Sequence, residues 1–152
     1  MAYFGYFPLI AVVVIVYNLI AFGGQVFVSG DPNAMDAVLS DPIIHIKMVS
    51  QQIWTVSVGD LLLLGGLITL FQEVLRSAKP DKSAIVNHGL SMVLFVIALV
   101  EFLLIKGFGT SVFFLVMCMT LFDVVAGFTI GIVAARRDIE VGTGDGLTLR
   151  GS

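Results

Sequence analysis

Apolar residues in this chain run in four long blocks, separated by shorter stretches that carry nearly all the charge. Phe4–Phe22, Ile53–Gln72, Ile85–Ile105 and Ser111–Ala134 each approach or reach the roughly 20 residues needed to cross hydrocarbon as a helix. The first block lacks a basic leader, and no small-residue cleavage site follows it, so it reads as a retained span rather than a signal peptide. The pattern predicts an all-α integral membrane protein. It would be a four-transmembrane-helix bundle over residues 1–138, with a long outer segment, 23–52, inserted between helices 1 and 2. Inside that segment Asp31-Pro32 reads as an N-cap followed by proline at the first helical position, predicting a short helix to Ser40. The run Ile43-Ile44-His45-Ile46-Lys47-Met48 partly alternates, which predicts a short strand or an interfacial segment. Lys106–Thr110 predicts a tight turn, and the glycine-rich residues 139–152 predict a flexible tail.

The basic residues orient these spans. Arg76, Lys79 and Lys82 lie between the second and third blocks, and Arg136, Arg137 and Arg150 follow the fourth. Lys47 and Lys106 alone fall on the other side. A six-to-two split puts both termini and the 79–82 loop in the cytoplasm by the positive-inside rule.

Composition then narrows the functional classes. Hydrophobic residues make up 58% of the 152, against roughly 45–50% in soluble domains. Charged residues are 12% and mean hydropathy is +1.04, so one soluble core of this size has no room for the apolar surface. A formal net charge of −3 argues against a nucleic-acid partner, which needs a basic stripe. The single Cys118 has no partner for an intrachain disulfide.

The few acids inside the blocks carry the strongest functional signal, because an ionised carboxylate at the centre of a span costs at least ~2.5 kcal/mol. Asp60 stands 16 residues before Arg76 and Asp123 stands 13 before Arg136. At ~1.5 Å per helical residue both lie ~20–24 Å from those anchors, in the outer half of the bilayer. Glu101 and Asn18 fall near the outer ends of their own helices. The expectation is therefore one buried polar network, or an ion or proton site, built from Asn18, Asp60, Glu101 and Asp123. Ser57 and Thr120 sit one turn from the two aspartates, and Lys106 is placed to pair with Glu101. Gly127 and Gly131 share the Asp123 face as a GxxxG pair that permits close helix approach.

Other signals point to packing. The elements around Asn18 and Asp60 are loosely repeated around Glu101 and Asp123, a weak parallel repeat of two hairpins. His45 and His88 fall on opposite sides of the membrane and read as interfacial residues, not as a haem pair. Trp54, Tyr3, Tyr6 and Tyr17 near span ends also read as interfacial. Ser57-Val58-Gly59-Asp60 lacks the first glycine of the intramembrane aspartyl protease motif, and adjacent Met117-Cys118-Met119 side chains diverge on a helix. No phosphate-binding loop, metal-spaced His/Cys set or nucleophile triad occurs, so no cofactor, metal site or enzymatic activity is expected.

Taken with their surroundings, Trp54-Thr55-Val56-Ser57-Val58-Gly59-Asp60, Val100-Glu101-Phe102-Leu103-Leu104 and Ala134-Ala135-Arg136-Arg137-Asp138 resemble a family of small, uncharacterised four-span proteins of alphaproteobacterial inner membranes. The resemblance covers Phe4 to Val141, is weakest over Asp41–Gln52, and implies a location and a fold but no activity. The functional expectation is a non-enzymatic accessory or assembly subunit of a larger membrane complex. Its partners would be the lipid bilayer and another membrane protein or further copies of itself. The alternative is a small proton- or cation-coupled transporter or channel acting as an oligomer.

Overall fold

The computed structural model describes residues 7–23, 31, 33–77 and 83–148. In chain order they form α1 (Ala11–Gly23), α2 (Ala34–Leu39), β1 (Pro42–Lys47), β2 (Ile53–Ser57), α3 (Val58–Ser77), α4 (Ser83–Leu104) and α5 (Ser111–Thr148). The protein is mostly helical. Val58–Ser77, Val86–Leu104 and Ser111–Val133 are long and apolar enough to cross a membrane, and α1 is a fourth, shorter apolar helix. Large side chains on these helices face outward, among them Leu67, Phe71, Leu103, Leu104 and Phe122. Water would not tolerate so broad an apolar surface, whereas lipid would.

Helix α5 is the spine: α3 and α4 pack along it, and α1 touches all three. The helices alternate in direction. Leu9, in the turn that opens α1, meets Glu73 near the end of α3, while Tyr17 reaches the α4–α5 turn. The bundle therefore has a hairpin end, carrying β1, β2 and the α4–α5 turn, and an opposite end where α3 passes to α4.

The hairpin end is knitted by a few specific contacts. Gly107 adopts φ 89°, the left-handed conformation that lets the chain turn out of α4. Thr110 then caps α5, its Oγ1 accepting the Phe113 N–H at 3.1 Å. The Tyr17 hydroxyl lies 2.7 Å from Thr110 Oγ1 and 3.1 Å from the Gly107 carbonyl. Its ring packs against Phe108 and Phe113, with centroids 5.3 and 4.6 Å away. Tyr17 is thus fully buried rather than interfacial, because the turn supplies partners for its hydroxyl inside the bundle.

Strands β1 and β2 pair antiparallel, with Ile44 opposite Val56, His45 opposite Thr55 and Ile46 opposite Trp54. The five residues Met48–Gln52 join them, closed by hydrogen bonds between Met48 and Gln51 and between Met48 and Gln52, with Gln51 at φ 67°. The predicted strand at 43–48 is present as β1. The second predicted span, however, starts five residues late. Ile53–Ser57 alternates well enough to pair with β1, and the helix begins only where Ser57 caps it. The predicted Asp31-Pro32 cap also shifts: α2 opens at Asn33, whose N–H donates to Asp31 Oδ1 at 2.9 Å, and Pro32 lies outside the described residues. The first predicted block forms helix from Ala11, and Tyr3 and Tyr6 lie outside the described residues, as do Lys79 and Lys82. Where a flexible tail is expected, α5 continues to Thr148, although Gly142, Gly144 and Gly146 each cost about 1 kcal/mol there relative to alanine.

Candidate functional site

The four polar residues expected to converge are separated by the fold. Asp60 is exposed at the start of α3, where it completes a capping box. The Ser57 N–H and hydroxyl both donate to Asp60 Oδ2, at 2.9 and 2.8 Å, and the Asp60 N–H donates back to Ser57 Oγ at 3.3 Å. With the helix starting at Val58, Asp60 sits in the first turn beside the positive end of the helix dipole. It is a helix-terminal residue and not a mid-span acid.

Asn18 and Glu101 do meet. Asn18 Nδ2 donates to Glu101 Oε2 at 3.1 Å and to the Val14 carbonyl of its own helix at 3.0 Å. The pair is half-buried near the hairpin end. Lys106 is exposed, and Glu101 takes its hydrogen bond from Asn18 rather than pairing with that lysine.

Asp123 lies elsewhere. It is 1% exposed, twelve residues into α5, and its electrostatic neighbours are Ser91, Glu73 and His88. This places it with the opposite-end groups, away from Asn18, Asp60 and Glu101. Thr120, expected to support it, is fully buried and donates to the Met117 carbonyl at 2.7 Å. Gly127 makes a close approach, since a Cβ there would overlap the His88 ring. Gly131 does not: a Cβ there meets nothing within 4 Å, so only half of the GxxxG pair serves packing. The His88 ring consequently turns into the bundle, with Nδ1 buried, rather than lying at the interface.

The centre of this second cluster is Glu73, which the sequence did not single out. Its side chain is fully buried. Oε2 accepts the Leu9 N–H at 2.7 Å, and Oε1 accepts a short hydrogen bond from Asn87 Nδ2. The Leu9 N–H is one of the amides at the start of α1 that have no partner within their own helix, so Glu73 acts as that helix's cap from across the bundle. Asn87 and Ser91 stand one turn apart on α4, 5% and 1% exposed. A readable signal existed: Gly59, Gly66 and Glu73 recur every seventh residue on the buried face of α3.

Three helices and the start of a fourth thus bring two carboxylates, an amide, an imidazole and a hydroxyl together in an apolar bundle. Glu73 is satisfied. Asn87 Oδ1, His88 Nδ1, Ser91 Oγ and Asp123 Oδ2 are buried without a hydrogen-bond partner. No group of three or more His, Cys, Asp or Glu side chains among the described residues suits a metal ion. The chain matches no protein-family model, no curated protein and no solved structure.

Proposed function

We propose that this protein is a small four-span subunit of a larger assembly in a bacterial inner membrane, acting by docking rather than by catalysis. The six-to-two distribution of basic residues supports both termini and the α3–α4 connection being cytoplasmic, which puts the β-hairpin on the outer side.

One observation carries the docking reading. Ile44, Ile46, Trp54 and Val56 share one face of the hairpin, and His45, Lys47, Thr55 and Ile53 share the other. Val56 is buried against the body of the protein, while Ile44, Ile46 and Trp54 are 47, 42 and 51% exposed. A lone two-stranded hairpin is marginally stable in water. An apolar face on such an element, beside the end of a membrane bundle, is suited to the apolar surface of a neighbouring membrane protein.

A photocrosslinking amino acid at Ile46, activated in native membranes, tests this. The expected product is one discrete adduct with another membrane protein, which disappears when Trp54→Asp is added. Adducts to lipid alone, with the protein purifying by itself in mild detergent, would defeat the reading. The contrary class, a cation-coupled oligomeric transporter, required Asp60, Glu101 and Asp123 around one outward cavity. Ser57 and Asn18 engage the first two at separate places, which weighs against it.

A further inference from the structure

The opposite-end cluster has a chemical need that docking at the hairpin does not address. Four buried polar atoms lack partners, and they come from neighbouring residues: Asn87, His88 and Ser91 on α4 and Asp123 on α5. Asn87 is fixed by its hydrogen bond to Glu73, which leaves its Oδ1 unmatched. The His88 ring is fixed against Gly127, one turn beyond Asp123. Ser91 lies within hydrogen-bonding reach of Asp123 without regular geometry, and His88 is an electrostatic neighbour. In a low-dielectric interior an unmatched carboxylate oxygen is costly, and one unit of positive charge is the smallest remedy.

We infer that Asp123, with His88, Ser91 and Asn87 around it, is an intramembrane proton-binding site that holds one exchangeable proton. The two carboxylates divide their roles by hydrogen bonding. Both oxygens of Glu73 accept N–H donors, one of them at a helix start, so Glu73 is already matched and positions Asn87. Asp123 Oδ2 accepts none. A proton on Oδ2 converts it into a donor toward a group with spare acceptor capacity: His88 Nδ1, Ser91 Oγ or Asn87 Oδ1. The groups facing the site are Glu73 from α3 and His88 and Ser91 from α4, with Asn87 joined to it through Glu73 and Thr120 one turn before Asp123 on α5. The turn before α1 contributes the Leu9 N–H, which is held by Glu73. His88 is half-buried, five residues into α4, and is therefore the exchange route toward the α3–α4 end. The inference is independent of the hairpin's partner, since it concerns the other end of the bundle.

Infrared difference spectroscopy on the full chain in lipid nanodiscs tests it. The wild type is expected to show a protonated-carboxyl C=O stretch at neutral pH. Labelling aspartate with carbon-13 at the carboxyl shifts that band, and labelling glutamate leaves it in place. The labels identify the group without a variant, so the test stands even where Asp123→Asn fails to fold. In a folded Asp123→Asn variant the band is absent. In His88→Phe it persists but exchanges with deuterium at least ~10-fold more slowly. Absence of the band in the wild type, its shift with labelled glutamate, or its loss on replacing choline by sodium at fixed pH would each overturn the inference. The last outcome would assign the site to a metal cation.

Discussion

The two ends of this bundle handle polar groups in opposite ways. At the hairpin end the polar side chains close short circuits. Ser57 and Asp60 satisfy each other across one helical turn, Tyr17 finds Thr110 and Gly107, and Asn18 finds Glu101. At the opposite end Glu73 is matched by Leu9 and Asn87, yet four polar atoms around it, Asn87 Oδ1 among them, are buried without partners. Helix ends and turns provide nearby backbone donors and acceptors, so polarity there is resolved by local geometry. A mid-helix position offers no free backbone donor, and the carbonyls that serve Asn18 and Thr120 cannot serve a carboxylate. Polar residues there depend on what neighbouring helices bring. Acids near the hairpin are therefore architectural, and Asp123 is the one left with chemical work.

Removing Glu73 should break the contrast most strongly. Glu73→Ala strands two donors, Leu9 N–H and Asn87 Nδ2, in a buried site. Hydrogen bonds to a charged group contribute ~1.5–3 kcal/mol each, so the expected loss is about 3 kcal/mol or more. Equilibrium unfolding in mixed lipid–detergent micelles measures it. Glu73→Gln keeps one acceptor and should lose roughly half as much. A loss for Glu73→Ala no larger than for a lipid-facing alanine substitution such as Leu67→Ala would mean Glu73 does not fasten α1 to α3.

Next in size is a pair of glycine substitutions on one helix. Gly127→Ala drives a methyl into the fixed His88 ring and should cost ~1–3 kcal/mol, as overpacking does. Gly131→Ala meets nothing within 4 Å and should stay within ~0.5 kcal/mol of wild type. Equal losses at the two positions would mean that the motif packs as a unit, against the geometry. Ser57→Ala belongs to the hairpin end and should cost ~1 kcal/mol, the ordinary loss of an N-cap side chain. Amide exchange at Val58–Leu61 checks it: protection should fall there and hold steady at the opposite end.

How much of this was legible in the sequence differs between the ends for a physical reason. The four apolar blocks, the strand at 43–48, the Lys106–Thr110 turn and the short helix before Ser40 all follow from local periodicity and turn chemistry. The start of α3 was obscured because apolar residues continue on both sides of Ser57, and a strand feeding directly into a helix leaves no polar gap. Ser57-Val58-Gly59-Asp60 nonetheless carries the S-x-x-D spacing of a capping box. Glu73 was hidden by its position three residues before Arg76, where an acid reads as part of a solvated helix end. Its burial is a tertiary fact, set by the start of α1 lying across it. The same holds for His88, whose inward turn depends on Gly127.

Among the polar contacts the smallest effect is expected for the Asn18–Glu101 pair, and it is the sharpest measure of the difference between the ends. Asn18→Leu removes the donor to Glu101 and leaves a carboxylate with one partner fewer. Were the two ends equivalent, the penalty would rival that of Glu73→Ala. Three features reduce it. The pair is half-buried, so Glu101 can turn toward the polar surface at the hairpin end. Asn18 divides its amide between Glu101 and its own Val14 carbonyl, which weakens the interhelical bond. And leucine restores apolar contact with lipid or helix at that position. Interhelical hydrogen bonds in membrane bundles average about 0.6 kcal/mol, and that is the loss expected here. A double-mutant cycle with Glu101→Gln isolates the pairwise part. A coupling above ~1.7 kcal/mol would place Asn18–Glu101 among the strongest such pairs and erase the distinction between the two ends.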